Sequence, residues 1–173
     1  MNPQELNNND ELIDIVDEND AIVATMWRSE ATENNVQYSR IVLGFIVNQE
    51  GKICILRRSA NKKHAPLQLA LIGGAVQSGE AYDDAFKREL QEEANLDAEY
   101  YDYKCLGYLK PNEGQMGYFA MIYEVKVDHD QIAYNPDDFC EYHWMTPKEF
   151  FAHATSGDKI VTGLAFLIER FYA

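Results

Sequence analysis

Residues 80–94 contain neither glycine nor proline and are rich in strong helix formers, so a helix is expected there. What constrains the chain is where the acids of that helix fall. Glu89, Glu92 and Glu93 stand at i, i+3 and i+4, a spacing that shares one side of a helix. At roughly 100° per residue from Ala81, Glu92, Glu89 and Glu93 project at roughly 20°, 80° and 120°. Ala85, Tyr82 and Phe86 project at roughly 40°, 100° and 140° by the same rule. The acids therefore lie within the arc that packs inward, while Asp83, Asp84, Lys87 and Gln91 occupy the solvated face.

Three carboxylates within one turn repel each other, and partial burial makes each costlier. A divalent cation removes both penalties, and carboxylate oxygens suit a hard ion such as Mg²⁺ or Mn²⁺. The alternative is an acidic helix without a ligand, because Glu is itself a good helix former. The preceding residues bear on this choice. Gly73-Gly74 follows the short apolar strand expected over 69–72 and presents backbone without side chains. Gly79 permits a further turn, and Glu80 opens the helix, where its charge suits the dipole. Bare backbone leading into a carboxylate-lined helix frames a metal–diphosphate site. An ordinary strand-to-helix turn is the alternative for the glycines alone.

Charge narrows the ligand. Fifteen Lys+Arg against twenty-nine Asp+Glu give a net charge of −14. Such a surface repels a phosphate backbone, which excludes a sequence-independent binder of nucleic acid polymers. An anionic small molecule would need a local cation to receive it. The basic loop 57–66 (RRSANKKHAP) is the exception on this acidic chain, although its composition alone reads as a solvated loop. Cys54, Cys105 and Cys140 are widely spaced, odd in number and without a CxxC, so they read as buried thiols in a reducing compartment. No basic start with an apolar run marks a secretory signal, and no apolar stretch is long enough for a membrane span. Together these point to a cytoplasmic location.

The rest of the chain reads as one domain over 12–173 after a flexible tail at 1–11. A hairpin is expected over 12–27, its acids forming a solvated turn, followed by a loop or short helix over 28–37. Strands are expected over 38–48, 52–56, 103–109, 118–127 and 141–145. Thr146, Pro147 and Glu149 form a helix start with a capping box, and an amphipathic helix is expected over 159–171. Strands with interspersed helices make the fold class α+β or mixed α/β.

The segment Gly73–Leu96 resembles the Nudix box, G-x5-E-x7-R-E-U-x-E-E-x-G-U, where U is apolar. Gly74, Glu80, Arg88, Glu89, Leu90, Glu92, Glu93 and Leu96 match with the correct spacing. Asn95 replaces the last glycine, and Asn is the next-best residue for a left-handed helix end. Val16–Arg28, Arg57–Pro66 and Tyr142–Glu149 also look like the Nudix branch that includes isopentenyl diphosphate isomerase.

The resemblance implies an α/β/α sandwich with a mixed β-sheet and a hydrolase that cleaves a diphosphate linkage, in a nucleoside diphosphate derivative. It implies Mg²⁺ or Mn²⁺ held by Glu89, Glu92, Glu93 and the Gly73 carbonyl, with Glu80 and Arg88 orienting these ligands. Glu92 or Glu93 would take the proton of the attacking water. Arg58 and Lys62 match diphosphate-contacting positions, with Arg57 and Lys63 as weaker matches. Asp138 and Glu141 are candidates for an extra downstream ligand or base, with Glu113 as the alternative. Tyr38, Phe119 and Trp144 are read first as packing residues, with base stacking as the alternative. Many family members pair as homodimers, so a second copy of the chain is a further candidate partner. The isomerase reading fails on the residues: Gly73 stands where its Cys would be, and Ala75 and Ser39 where its His ligands would be. A non-catalytic Nudix binding module would be expected to have lost box carboxylates, and all are present here.

Overall fold

The computed structural model describes residues 10–173; the flexible tail expected over 1–11 lies outside the described residues as far as residue 9. The expected hairpin is β1 (Leu12–Val16) and β2 (Ile22–Trp27), paired antiparallel as a separate two-stranded sheet. Its turn is built by Asp17, whose carboxylate accepts from the Asn19 and Ala21 amides. The polar stretch that follows opens as a short helix, α1 (Arg28–Glu33).

A seven-stranded mixed sheet forms the centre. It comprises β3 (Arg40–Val47), β4 (Ile53–Arg58), β5 (Leu69–Ala70), β6 (Ile72–Ala75), β7 (Tyr103–Leu109), β8 (Phe119–Lys126) and β9 (Phe139–Met145). β3 runs parallel to β8, and the other pairings are antiparallel. β3 and β4 meet only at Val47↔Ile53, beside their turn. Beyond it they part: β6 pairs with β3, while β5 and β9 pair with β4.

Alternation along the strands sorts side chains to two faces. Val42 and Ile46 of β3, with Cys54 and Leu56 of β4, pack on Phe86 and Leu90 of α2 (Tyr82–Ala94). Phe45, Val47, Ile53 and Ile55 pack instead with Phe150 of α3 (Pro147–Thr155) and Leu167 of α4 (Leu164–Tyr172). Each large apolar side chain buried in this way contributes about 1.5–3 kcal/mol. The result is the expected helix–sheet–helix sandwich. Among the described residues no helix is long and apolar enough to cross a membrane.

Local chemistry set several boundaries as expected. Thr146 and Glu149 form a complete capping box with Pro147 in the first turn of α3. Asn95 ends α2 in the left-handed conformation at φ 52°. Other expectations are corrected. Gly73-Gly74 does not follow a strand but lies inside one, β6, paired with Leu43 and Val42. α2 starts at Tyr82, so Glu80 precedes the helix. The last helix starts at Leu164 and not at 159, because Lys159 and Val161 hydrogen bond to the backbone of Leu69 in strand fashion. Gly163 then turns with φ 87°. Only Cys54 is a buried thiol; Cys105 is exposed on the sheet-edge strand β7, and Cys140 is exposed on β9.

Candidate active site

Where β3 and β4 part, a cleft of about 860 Å³ opens between α2, β6 and the basic loop. Gly73, Glu89, Glu92 and Glu93 line one side, and Arg58, Lys62 and Asp138 line the other. The sequence reading thus named residues, distant along the chain, that share one cavity.

Two of the three box acids are buried as the helical arc required. Glu89 is 6% exposed and Glu93 is 7% exposed, whereas the Glu92 side chain remains 57% exposed. Close packing of α2 on β6 is what buries them. A Cβ at Gly74 would stand 2.2 Å from Glu89 Oε1, so the missing side chain is the space that the carboxylate fills. At Gly73, with φ 144°, a Cβ would stand 2.1 Å from the Val42 carbonyl oxygen. The Gly73 amide donates to Glu93 Oε2 at 2.7 Å.

Burial pushes the Glu93 carboxyl up to about 8, reinforced by the charge of Glu89 and opposed by the Gly73 amide. Burial pushes Glu89 up to about 7 against the pull of Arg88. Arg88 organises this corner. Its guanidinium donates to both oxygens of Glu80 at 2.9 and 3.0 Å, to Glu89 at 2.7 Å and to the Ala75 carbonyl at 2.9 Å. It reaches Glu92 at 3.3 Å. Burial alone would depress the guanidinium, but hydrogen bonds to Glu80 and the Glu89 charge hold it raised.

Among the described residues no three His, Cys, Asp or Glu side chains are drawn together closely enough to hold a metal ion as they stand. Arg88 takes up the oxygens that a cation would claim. The donor chemistry nevertheless fits a hard divalent ion: among the described residues buried Glu93 is paired with no cation, Glu89 and Glu92 lie beside it, and the backbone at Gly73 is bare.

Opposite the acids, Arg58 is half-buried at the end of β4 and donates to the His64 carbonyl at 3.2 Å. Among the described residues it forms no ion pair with a carboxylate. Burial depresses its guanidinium, while the fields of Glu93 and Asp138 oppose that. Lys62 and Asp138, expected to serve different roles, pair with each other at 2.5 Å.

Several expected residues are not in the cleft. Glu141 pairs with Arg57 and sits 3.1 Å from His143, and Arg57 is held also by Asp158 at 3.1 Å. Successive residues of a strand project to opposite faces, so neighbouring Arg57 and Arg58 of β4 meet different surroundings. Glu113 pairs with Arg170 of α4 at 2.9 Å. Phe119 is buried against Tyr38, Trp144 donates to the Asp130 carbonyl at 2.8 Å, and none of the three lines the cleft.

The sequence reading missed Asp10, Glu11, Arg28 and Ser29, which also line the cleft. Asp10 and Glu11 belong to the stretch read as tail. Arg28 pairs with Glu11 at 2.5 Å, and Ser29 donates to Asp10. No local pattern marks these residues; the hairpin fold brings them there.

Comparison with known proteins agrees with this architecture. The NUDIX domain family matches residues 37–163. A Nudix hydrolase of Nostoc sp. is 41% identical over 164 residues, 94% of this chain and 96% of its own length. A Nudix hydrolase of Deinococcus radiodurans is 34% identical over 94% of this chain and 95% of its own length. The crystal structure of DR0079 from Deinococcus radiodurans superposes with a TM-score of 0.86 at 33% identity, covering 94% of this chain and all of that one.

Proposed function

This chain belongs to the Nudix family, and from that premise we propose that it hydrolyses a diphosphate linkage in a small molecule, a nucleoside diphosphate derivative. The observation that carries the reading is the pair of buried carboxylates, Glu89 and Glu93, beside the bare backbone of Gly73-Gly74 and facing Arg58. Such an acidic wall repels a diphosphate unless a cation intervenes. Glu89, Glu92, Glu93 and the Gly73 carbonyl would hold Mg²⁺ or Mn²⁺. When bound, the ion supplies charge neutralisation at phosphate oxygens and acidifies water.

The chain's own residues do the rest. Arg58 offers a charged donor free to meet a phosphate oxygen, and in a half-buried position that contact is stronger than in water. Lys62 adds a second positive charge once it exchanges Asp138 for phosphate. Glu92 or Glu93 takes the proton from water. Glu80 fixes Arg88 through two parallel hydrogen bonds, and Arg88 in turn holds Glu89 in place. Asp138 is the remaining candidate for the downstream acid, because it lines the cleft and Glu141 does not.

A panel of sugar nucleotides, dinucleoside polyphosphates and nucleoside triphosphates with Mg²⁺, scored for released phosphate or diphosphate, tests the reading. Turnover of one class, lost in Glu93→Gln, supports it. Tight binding of one compound without turnover of any would favour a non-catalytic binding module.

A further inference from the structure

The positive wall of the cleft is carried by the connection between β4 and β5, with Arg58 at its root and Lys62, Lys63 and His64 along it. The backbone of this connection is strained. Ala65 at φ 48° and Leu67 at φ 60° occupy the left-handed region, and neither is glycine. The Leu67 side chain is 51% exposed, so core packing does not impose its conformation. Hydrogen bonds must.

Two arginines grip the connection from opposite faces of the sheet. Arg58, on the α2 side, donates to the His64 carbonyl at 3.2 Å. Arg57, on the side of α3 and α4, donates through Nη1 to the Leu67 carbonyl at 3.1 Å. Lys62 adds its pair with Asp138. Arg58 and Lys62 are the groups that meet phosphate in the function proposed above, and a side chain that turns to phosphate leaves its former partner. Of these holds, only that of Arg57 survives the exchange.

Arg57 is itself fixed. Its Nη1 and Nη2 donate to the two oxygens of Asp158 at 3.1 and 3.3 Å, and its Nε donates to Glu141. The hydrogen bonds from Arg57 hold both carboxyls below their ordinary pKa, so each acid accepts only. His153 Nδ1 meets Asp158 at 2.9 Å and His143 Nε2 meets Glu141 at 3.1 Å, orienting the acids further. The network thus joins β4, β9, α3 and the segment after it to the Leu67 carbonyl. An ion pair that served only to fasten β4 to β9 would not need the donor that goes to Leu67, and a guanidinium has donors for all three acceptors.

Building on the hydrolase reading above, we infer that Arg57 is a positioning residue for diphosphate binding. It anchors the Leu67 carbonyl and so keeps the strained connection posed over the cleft while Arg58 and Lys62 engage phosphate. Arg57 does not line the cleft, so its effect passes through the backbone of Leu67. A pose fixed before the ligand arrives need not be ordered on binding, which raises affinity.

Amide hydrogen exchange of the full chain tests the anchor without any ligand, and calorimetry with Mg²⁺ and methylenediphosphonate tests its consequence without turnover. Arg57→Lys keeps a charge between Glu141 and Asp158 but cannot serve Leu67 as well. It should lower the protection of the Lys62 and Gln68 amides about tenfold and leave Ile55 and Leu56 of β4 unchanged. It should also weaken methylenediphosphonate about tenfold. Leu67→Gly adopts the left-handed conformation without strain and removes only an exposed side chain. Added to Arg57→Lys, it should return protection and affinity to within about threefold of the parent. Asp158→Asn, which loosens the guanidinium from outside β4, gives the same test should Arg57→Lys fold poorly. Parent-like protection or parent-like affinity in a folded variant would overturn the inference. So would a loss that Leu67→Gly does not restore, because an ion pair that merely braces the sheet is not rescued at Leu67. A parent that does not bind methylenediphosphonate, with the exchange pattern as expected, would uphold the anchor and remove the hydrolase reading.

Discussion

The Glu93 carboxylate accepts a 2.7 Å hydrogen bond from the amide of Gly73, twenty residues earlier in the chain. This contact fixes α2 against β6 at the point where the helix carries its acids. It also explains why a buried carboxyl is tolerated there: one backbone donor offsets part of its desolvation.

The two glycines should separate under mutation. Gly74→Ala places a methyl group 2.2 Å from Glu89 Oε1, at the end of a flexible side chain that can move aside. The variant should fold and lose at least tenfold in turnover. Gly73→Ala places a methyl group 2.1 Å from a backbone oxygen at a φ of 144°. It should lose about 1–3 kcal/mol of stability or more. Thermal melts and rate assays on both variants check the contrast.

Arg88→Lys should keep a positive charge but lose the planar fork that serves Glu80, Glu89 and the Ala75 carbonyl together. Activity should fall about 10–100-fold, with the loss shared by weaker Mg²⁺ binding. Calorimetric titration of Mg²⁺ into the variant is the check; unchanged affinity would mean that Arg88 does not position the acids.

Much of this site was legible because it is local. The helix period placed Glu89 and Glu93 inward, and Asn95 marked the left-handed helix end. The parts that were not legible depend on pairing between distant segments. Nothing near Gly73 says that it lies within a strand paired to β3, since that pairing is decided by the parting of β3 and β4. The choice between Asp138 and Glu141 turns on their partners: Glu141 meets Arg57 across the β4–β9 pairing, Asp138 meets Lys62 of the basic loop, and neither segment records this. Asp10, Glu11 and Arg28 reach the cleft only because the hairpin folds over β6. The pairing of Lys62 with Asp138 is likewise a tertiary contact between two residues that were read separately.

The docking of the hairpin carries a pH signature. Burial would raise the Asp14 carboxyl, but hydrogen bonds from Ser78, Gly79 and Thr25 outweigh it and hold its pKa below the ordinary value of 3.8. A depressed carboxyl contributes stability that is present above the unfolded pKa and lost as pH falls through the folded one. Asp14→Asn should therefore melt at lower temperature than the parent at pH 7. The gap should narrow as pH falls below 3.8. A gap that stayed constant to low pH would show that the ionised form contributes nothing.

Tyr82 lies half-buried in the packed arc of α2, its hydroxyl 3.3 Å from Asp20 and its ring edge-on to Tyr108. Tyr82→Asp would replace that ring with a second carboxylate beside Asp20. Loss of the ring and the added repulsion should cost about 3–5 kcal/mol. Denaturant unfolding measures it.

The most direct test of the account is hydrolysis by the parent and by Glu93→Gln, side by side, with Mg²⁺ and with chelator, on whichever diphosphate substrate the panel identifies. Gln keeps the shape and can still accept from the Gly73 amide, so the variant should fold with an unchanged melting temperature in chelator. Its turnover should fall at least about 100-fold, as expected for loss of a general base or ligand. Chelator should silence the parent to the same degree. Full activity in Glu93→Gln, or turnover by the parent that is indifferent to chelator, would contradict the assignment of this cleft as a metal-dependent diphosphohydrolase site.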